Sequence, residues 1–188
     1  MKTIPNIPKV YSHFPKGYIN DVRGWGFDQE TIAENVGKLL TLDIDFGELC
    51  TLNCPSCFRK NNTVDSLSEQ QLSYDELVQI ILDAKKLGLR SVKFLGAGDP
   101  FENHRFLEFL RFLKSQVTPL IFTKGHVIGD DDLVEKYFSY LGIKTGEVLV
   151  RELDKCDVSI MLGFNSFDDE IQAKLVGASV EYVKARNR

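Results

Sequence analysis

The sequence predicts an α/β domain built on a parallel sheet. Three observations carry this. Four short apolar runs punctuate the chain, an amphipathic stretch follows each of them, and the connections are long enough for parallel crossovers rather than hairpins. Ligands in such domains meet the carboxyl ends of the strands. The cysteine-rich loop 50–57, the glycine-rich segment 96–100, the turn after Thr123 and the turn 163–166 all follow predicted strands, so they should face one cleft.

The elements follow from local pattern. Residues 1–37 read as an irregular lead-in, because Pro5, Pro8, Pro15, Gly17, Gly24 and Gly26 interrupt it; a short helical stretch within 28–38 is expected at its end. The lead-in carries Tyr11, Phe14, Tyr18, Trp25 and Phe27, which suits a segment draped over the domain. The core is expected over 38–188. Alternation over Leu39–Phe46 gives the first strand, and 61–71 is a polar loop. Ser73 with Glu76 three residues on is a capping box, and Leu77, Ile80, Ile81, Ala84 and Leu87 form the buried stripe of the helix that Gly88 stops. Ser91–Leu95 is the second strand; Asn103 is placed to cap the next helix, with its apolar face of Phe106, Leu107, Phe109, Leu110, Phe112 and Leu113. Pro119–Thr123 is the third strand. Asp130, Asp131 and Asp132 sit at the positive end of a helix that runs to Leu141 and closes at Gly142. A short helix over 147–153 precedes the fourth strand, Asp157–Leu162, and Asp168 opens a last helical region broken near Gly177.

Composition narrows the function. With 188 residues, 43% hydrophobic and 27% charged, the chain can bury a sizeable core. A net charge of −4 argues against a nucleic-acid surface. No apolar run nears the roughly 20 residues needed to span a bilayer, and residues 1–10 lack the apolar stretch of a secretory signal. Four cysteines, three of them clustered, read as ligands in a reducing compartment, and the cytoplasm is the expected location.

The cluster is Cys50-Thr51-Leu52-Asn53-Cys54-Pro55-Ser56-Cys57. Thiolates at this spacing can converge on one side of a tight loop and favour zinc or an iron–sulfur cluster. A structural zinc is normally closed by four ligands, whereas three thiolates on a four-iron cluster leave one iron open. Cys156 is a distant fourth and reads as a small core residue. His13, His104 and His126 are isolated in sequence, so surface or capping roles are expected; His126 is singled out only because it adjoins the Thr123 turn.

The C-x3-C-x2-C pattern of Cys50, Cys54 and Cys57 resembles the signature of the radical S-adenosylmethionine (SAM) enzymes. Gly98-Asp99-Pro100 resembles that family's Gly-Glu-Pro segment, with Asp99 in place of the glutamate. Thr123-Lys124-Gly125 resembles its Thr-Asn-Gly turn. Asn165 falls where the family often has aspartate, and the passages Ser166–Glu170 and Leu175-Val176-Gly177 resemble later family landmarks. The resemblance spans roughly 39–183 and implies a partial (βα) barrel of about four parallel units. It implies a [4Fe–4S] cluster on Cys50, Cys54 and Cys57, with the free iron chelated by the amino and carboxylate groups of SAM. SAM contacts are implied at Gly96, Ala97, Gly98, Asp99, Thr123 and Asn165. Lys124 departs from the pattern, where its charge would meet the SAM carboxylate or be solvated. Gly163 and Ser56 also depart, and Leu52 or Phe58 would replace the aromatic usual against the adenine.

The activity implied is reductive cleavage of SAM to a 5′-deoxyadenosyl radical that takes hydrogen from an unidentified substrate, with electrons from a flavodoxin- or ferredoxin-type donor. The alternative from another class is a non-catalytic zinc- or cluster-binding half-barrel used for protein association. Complete family cores usually have six βα units, so four imply a core truncated at its C-terminal side, with an open fourth strand through which the chain would self-associate.

Overall fold

The computed structural model describes residues 26–27, 29–47, 49–57, 72–96, 98–114 and 116–186. The expected loop 61–71, most of the lead-in, His13, Phe58 and Ala97 lie outside the described residues. Helix α1, Gln29–Glu34, precedes four strands: β1 Thr41–Ile44, β2 Ser91–Phe94, β3 Thr118–Thr123 and β4 Ser159–Leu162. They form one parallel sheet in the order β1-β2-β3-β4. Between them run α2 Tyr74–Lys86, α3 Phe106–Leu113, then α4 Asp131–Phe138 with α5 Gly146–Lys155; α6 Asp169–Val176 and α7 Val180–Arg186 follow β4. The architecture is the expected α/β partial barrel of four parallel strands alternating with helices.

Register explains the layers. Ile44, Phe94, Ile121 and Ile160 are lateral neighbours and share one face of the sheet. The aromatic rings of α3 pack on this face. Phe94 meets Phe106 edge-on at 5.0 Å, and Phe46 lies 5.2 Å from Phe109. Burying one such ring is worth roughly 1.5–3 kcal/mol. The opposite face carries Asp43 and Lys93, 3.8 Å apart, beside Leu120.

The capping box of α2 is present: Ser73 Oγ accepts from the Glu76 N–H, and the Glu76 carboxylate accepts from the Ser73 N–H. Leu77, Ile81 and Ala84 are buried as expected, but Leu87 is 62% exposed. The chain leaves the helix there, and Leu89 takes the buried place. Asn103 does not cap α3. Its carboxamide oxygen accepts from the Arg105 N–H, and the helix starts one residue later without a side-chain cap. Cys156 closes α5 and is the buried core residue expected. Asp130 caps α4 through two backbone N–H groups, so the acidic run is a helix start. Among the described residues no strand pairs with the outer side of β4, where Ile160, Met161 and Leu162 are exposed. No described helix is long and apolar enough to cross a membrane.

Candidate metal and cofactor site

The cysteine loop leaves the carboxyl end of β1 and is held from two sides. At its start the Asp99 N–H donates to the Leu49 carbonyl at 2.8 Å. Next, the Thr51 N–H and hydroxyl donate to Glu102 Oε1 at 2.6 and 3.1 Å. These bonds come from the exit of β2 and the 3₁₀ turn Pro100–Glu102 that follows it. On the other side, Leu52 and Cys54 pack on Ala173, Val176 and Val183 of α6 and α7. Gly177 ends α6 with φ 65°, and a Cβ on it would collide with the Asn53 carbonyl. Glycine is thus required twice over, by backbone conformation and by close approach. Cys50, Cys54 and Cys57 are half-buried along this loop, with a turn closed by Cys57 N–H donating to Cys54 O at 3.1 Å. None is in a disulfide.

Behind Cys50 lies a buried polar network. Glu102, 2% exposed, meets His126 Nε2 at 2.7 Å and accepts from the Tyr137 hydroxyl at 3.1 Å. His126, 3% exposed, places Nδ1 3.5 Å from Asp99 Oδ2. Asp99 accepts from the Thr123 hydroxyl at 2.6 Å and from the Phe101 and Lys124 N–H groups at 3.1 and 3.3 Å. Burial raises the Asp99 carboxyl above its usual range despite those bonds. Burial pushes Glu102 upward too, but bonds from His126, Thr51 and Tyr137 win and hold it below the usual value. Burial pushes the Cys50 thiol up to about 11; the Leu52 backbone bond opposes this, and the Glu102 and Asp99 charges reinforce it.

The expected surface or capping role of His126 is therefore corrected: its ring is buried inside the domain, with Nε2 hydrogen-bonded to Glu102 and Nδ1 facing Asp99. Glu102 and Tyr137 had no place in the sequence expectations. The visible signal was Glu102 one turn after Asp99, where an acid in an apolar run Pro-Phe-Glu must find a partner if buried. His104 is exposed, with its carbonyl accepting from Tyr140.

The other expected contacts divide. Thr123 touches Asp99 directly, and both face into the domain. Gly96 is exposed with φ 149°, where a Cβ would collide with the Asp45 carboxylate; Gly98 is half-buried. Asn165 is exposed and contacts neither; its N–H donates to Gln172 Oε1 at 3.2 Å. Lys124 Nζ donates to the Gly163 carbonyl at 2.9 Å, tying the ends of β3 and β4. A cavity of about 860 Å³ opens there, between Lys124, Gly125 and His126 on one side and Leu162, Phe164 and Gln172 on the other, with Leu52 at its edge. That volume suits a small-molecule ligand.

The chemistry of the donor set suits an iron–sulfur cluster, because three thiols lie on one short loop after β1; in the structure it is Cys50, Glu102 and His126, not the three thiols, whose ligand atoms lie within 4.8 Å of one another. A parallel half-barrel presenting three thiols and a ligand-sized cavity at one sheet edge defines a metal-and-cofactor protein of the α/β class. The radical SAM superfamily model matches residues 44–186, and the chain belongs to that superfamily, whose members use a [4Fe–4S] cluster and SAM. A probable GTP 3′,8-cyclase of Pyrococcus horikoshii is 29% identical over 143 residues, covering 75% of this chain and 44% of the relative. A tungsten-containing aldehyde ferredoxin oxidoreductase cofactor-modifying protein of Pyrococcus furiosus is 32% identical over 100 residues, covering 52% of this chain and 27% of the relative. The chain thus spans less than half the length of these curated relatives.

Proposed function

We propose that the chain carries the cluster- and SAM-binding part of a radical SAM enzyme, with Cys50, Cys54 and Cys57 as cluster ligands. The observation that carries this is the three-thiol loop, hydrogen-bonded to the β2 exit through Leu49 and Thr51 and closely approached by the α6–α7 turn at Asn53. When bound, the cluster and SAM supply a one-electron reductive cleavage that yields a 5′-deoxyadenosyl radical. This chain's residues bind, orient and exclude water. The Gly96–Gly98 backbone, rather than the inward-turned Asp99 carboxylate, would receive the SAM amino group, and Ala97 belongs to that stretch. Asp99 holds Thr123 and the Lys124 N–H in place, which positions the β3 turn at the cavity mouth. Leu52, at the cavity edge, is the apolar candidate against the adenine; Asn165 would close the rim.

The names of the relatives, one acting on GTP and one on a cofactor, favour a small-molecule substrate, while its identity lies with segments beyond the shared motifs. A flavodoxin- or ferredoxin-type donor would supply the electron, and three clustered cysteines outside any disulfide support a reducing compartment, the cytoplasm. The test is anaerobic reconstitution with iron and sulfide, followed by SAM cleavage. About four irons per chain are expected, with none retained as a cluster in Cys54→Ala. Zinc held by the three cysteines, with no iron uptake, would instead support a non-catalytic module.

A further inference from the structure

The geometry points to a second, single-ion site: in the cluster-free chain, Cys50, Glu102 and His126 form a site for one borderline divalent cation such as zinc or ferrous iron. One ligand atom from each of the three lies within 4.8 Å of the others. Ligand atoms bound at about 2.0–2.3 Å around a tetrahedral ion sit roughly 3.5 Å apart. The gap closes by a side-chain movement of about 1 Å, and Cys50 is half-buried, so it has room to move and leaves the fourth position to water. The three donors are a thiol, an imidazole and a carboxylate, a set that such ions accept.

The surroundings are those of a metal site rather than of a simple strut. The far ring nitrogen of His126 faces Asp99 Oδ2 at 3.5 Å, which sets up a carboxylate–histidine–metal arrangement once Nε2 takes the ion. Tyr137 and Thr51 donate to the Glu102 oxygens and orient that carboxylate. Binding releases the Cys50 thiol proton to solvent, shifts the ring proton of His126 from Nε2 to Nδ1, beside Asp99, and breaks the His126–Glu102 hydrogen bond. Because Cys50 is shared, the ion and the cluster are alternatives. That exclusivity rests on the cluster reading above; the ion site itself does not.

Cobalt(II) is the probe, titrated without oxygen into the cluster-free full chain. One ion per chain is expected, with tetrahedral d–d absorption and a thiolate-to-cobalt charge-transfer band. The site should survive in the Cys54→Ala/Cys57→Ala double variant, which cannot hold a cluster. Adding His126→Ala to that background should raise Kd tenfold or more. Adding Cys50→Ser should abolish the charge-transfer band while circular dichroism stays unchanged, which reads the site without disturbing the buried network. Loss of cobalt binding from the folded double variant would overturn the proposal, as would a charge-transfer band that persists after Cys50→Ser. Failure of the cluster reading has a different signature: wild-type chain that takes up no iron–sulfur cluster, whatever cobalt does.

Discussion

Replacing Glu102 by alanine tests the network that supports the cysteine loop. The side chain accepts from Thr51, His126 and Tyr137. Thr51 is exposed, so water can replace its lost bond, but His126 and Tyr137 are buried and would lose a partner out of reach of solvent. Each buried donor left without its acceptor costs about 1–3 kcal/mol. Relief from burying a carboxylate offsets part of this, so Glu102→Ala should destabilise the cluster-free chain by about 3 kcal/mol. Tyr137→Phe removes one bond and should cost about 1 kcal/mol. Because both changes delete the same bond, the double variant should cost less than the sum, with a coupling of at least about 0.5 kcal/mol. Urea unfolding of the full chain followed by circular dichroism measures all four corners. The sign with pH also follows. Glu102 has its folded pKa below the ordinary 4.5, so its stabilisation is present above 4.5 and is lost as pH falls through the folded value. The gap between wild type and Glu102→Gln should therefore narrow on acidification from about pH 4.5. A Glu102→Ala loss under about 1 kcal/mol, or strictly additive variants, would refute the reasoning.

Gly177→Ala should be costly for so small a change. The left-handed backbone alone costs roughly 1–2 kcal/mol, and contact with the Asn53 carbonyl must also push α6 away from the cysteine loop. Lower thermal stability together with a reduced yield of reconstituted cluster is expected, and unchanged values of both would rule out the packing described. Cys50 should alkylate slowly in cluster-free chain. With its thiol at about 11 rather than 9.0, the thiolate fraction near pH 8 falls about a hundredfold, and higher nucleophilicity recovers about tenfold of that. Mass-mapped iodoacetamide kinetics should show modification about tenfold slower than an ordinary thiol, and a rate midpoint at or below pH 9 would contradict the burial argument. Met161→Lys places a charge on the exposed edge strand β4 and should shift the chain toward monomer in sedimentation velocity if that edge mediates self-association; an unchanged distribution of species would remove β4 as the associating surface.

The sequence by itself determined the elements whose causes are local. Ser73 and Glu76 cap α2 because both are within three residues of each other, Asp130 and Asp168 start α4 and α6 for the same reason, and Gly142 and Gly177 end their helices through backbone freedom. Short apolar runs, with alternation in the first, located the four strands, and their parallel pairing followed from the length of the crossovers. The three-thiol spacing was legible because Cys50, Cys54 and Cys57 lie within eight residues. The tertiary structure alone decided what lies behind Cys50. Asp99, Glu102, His126 and Tyr137 leave from the exits of β2 and β3 and from α4, and parallel register brings those exits together across separations of 24 to 35 residues. Nothing local marks a histidine as buried between two carboxylates, since an isolated polar residue satisfies its hydrogen bonds in water equally well. Asp99 shows the same division: sequence placed it at the strand end, and only packing turned its carboxylate inward to the Thr123 hydroxyl.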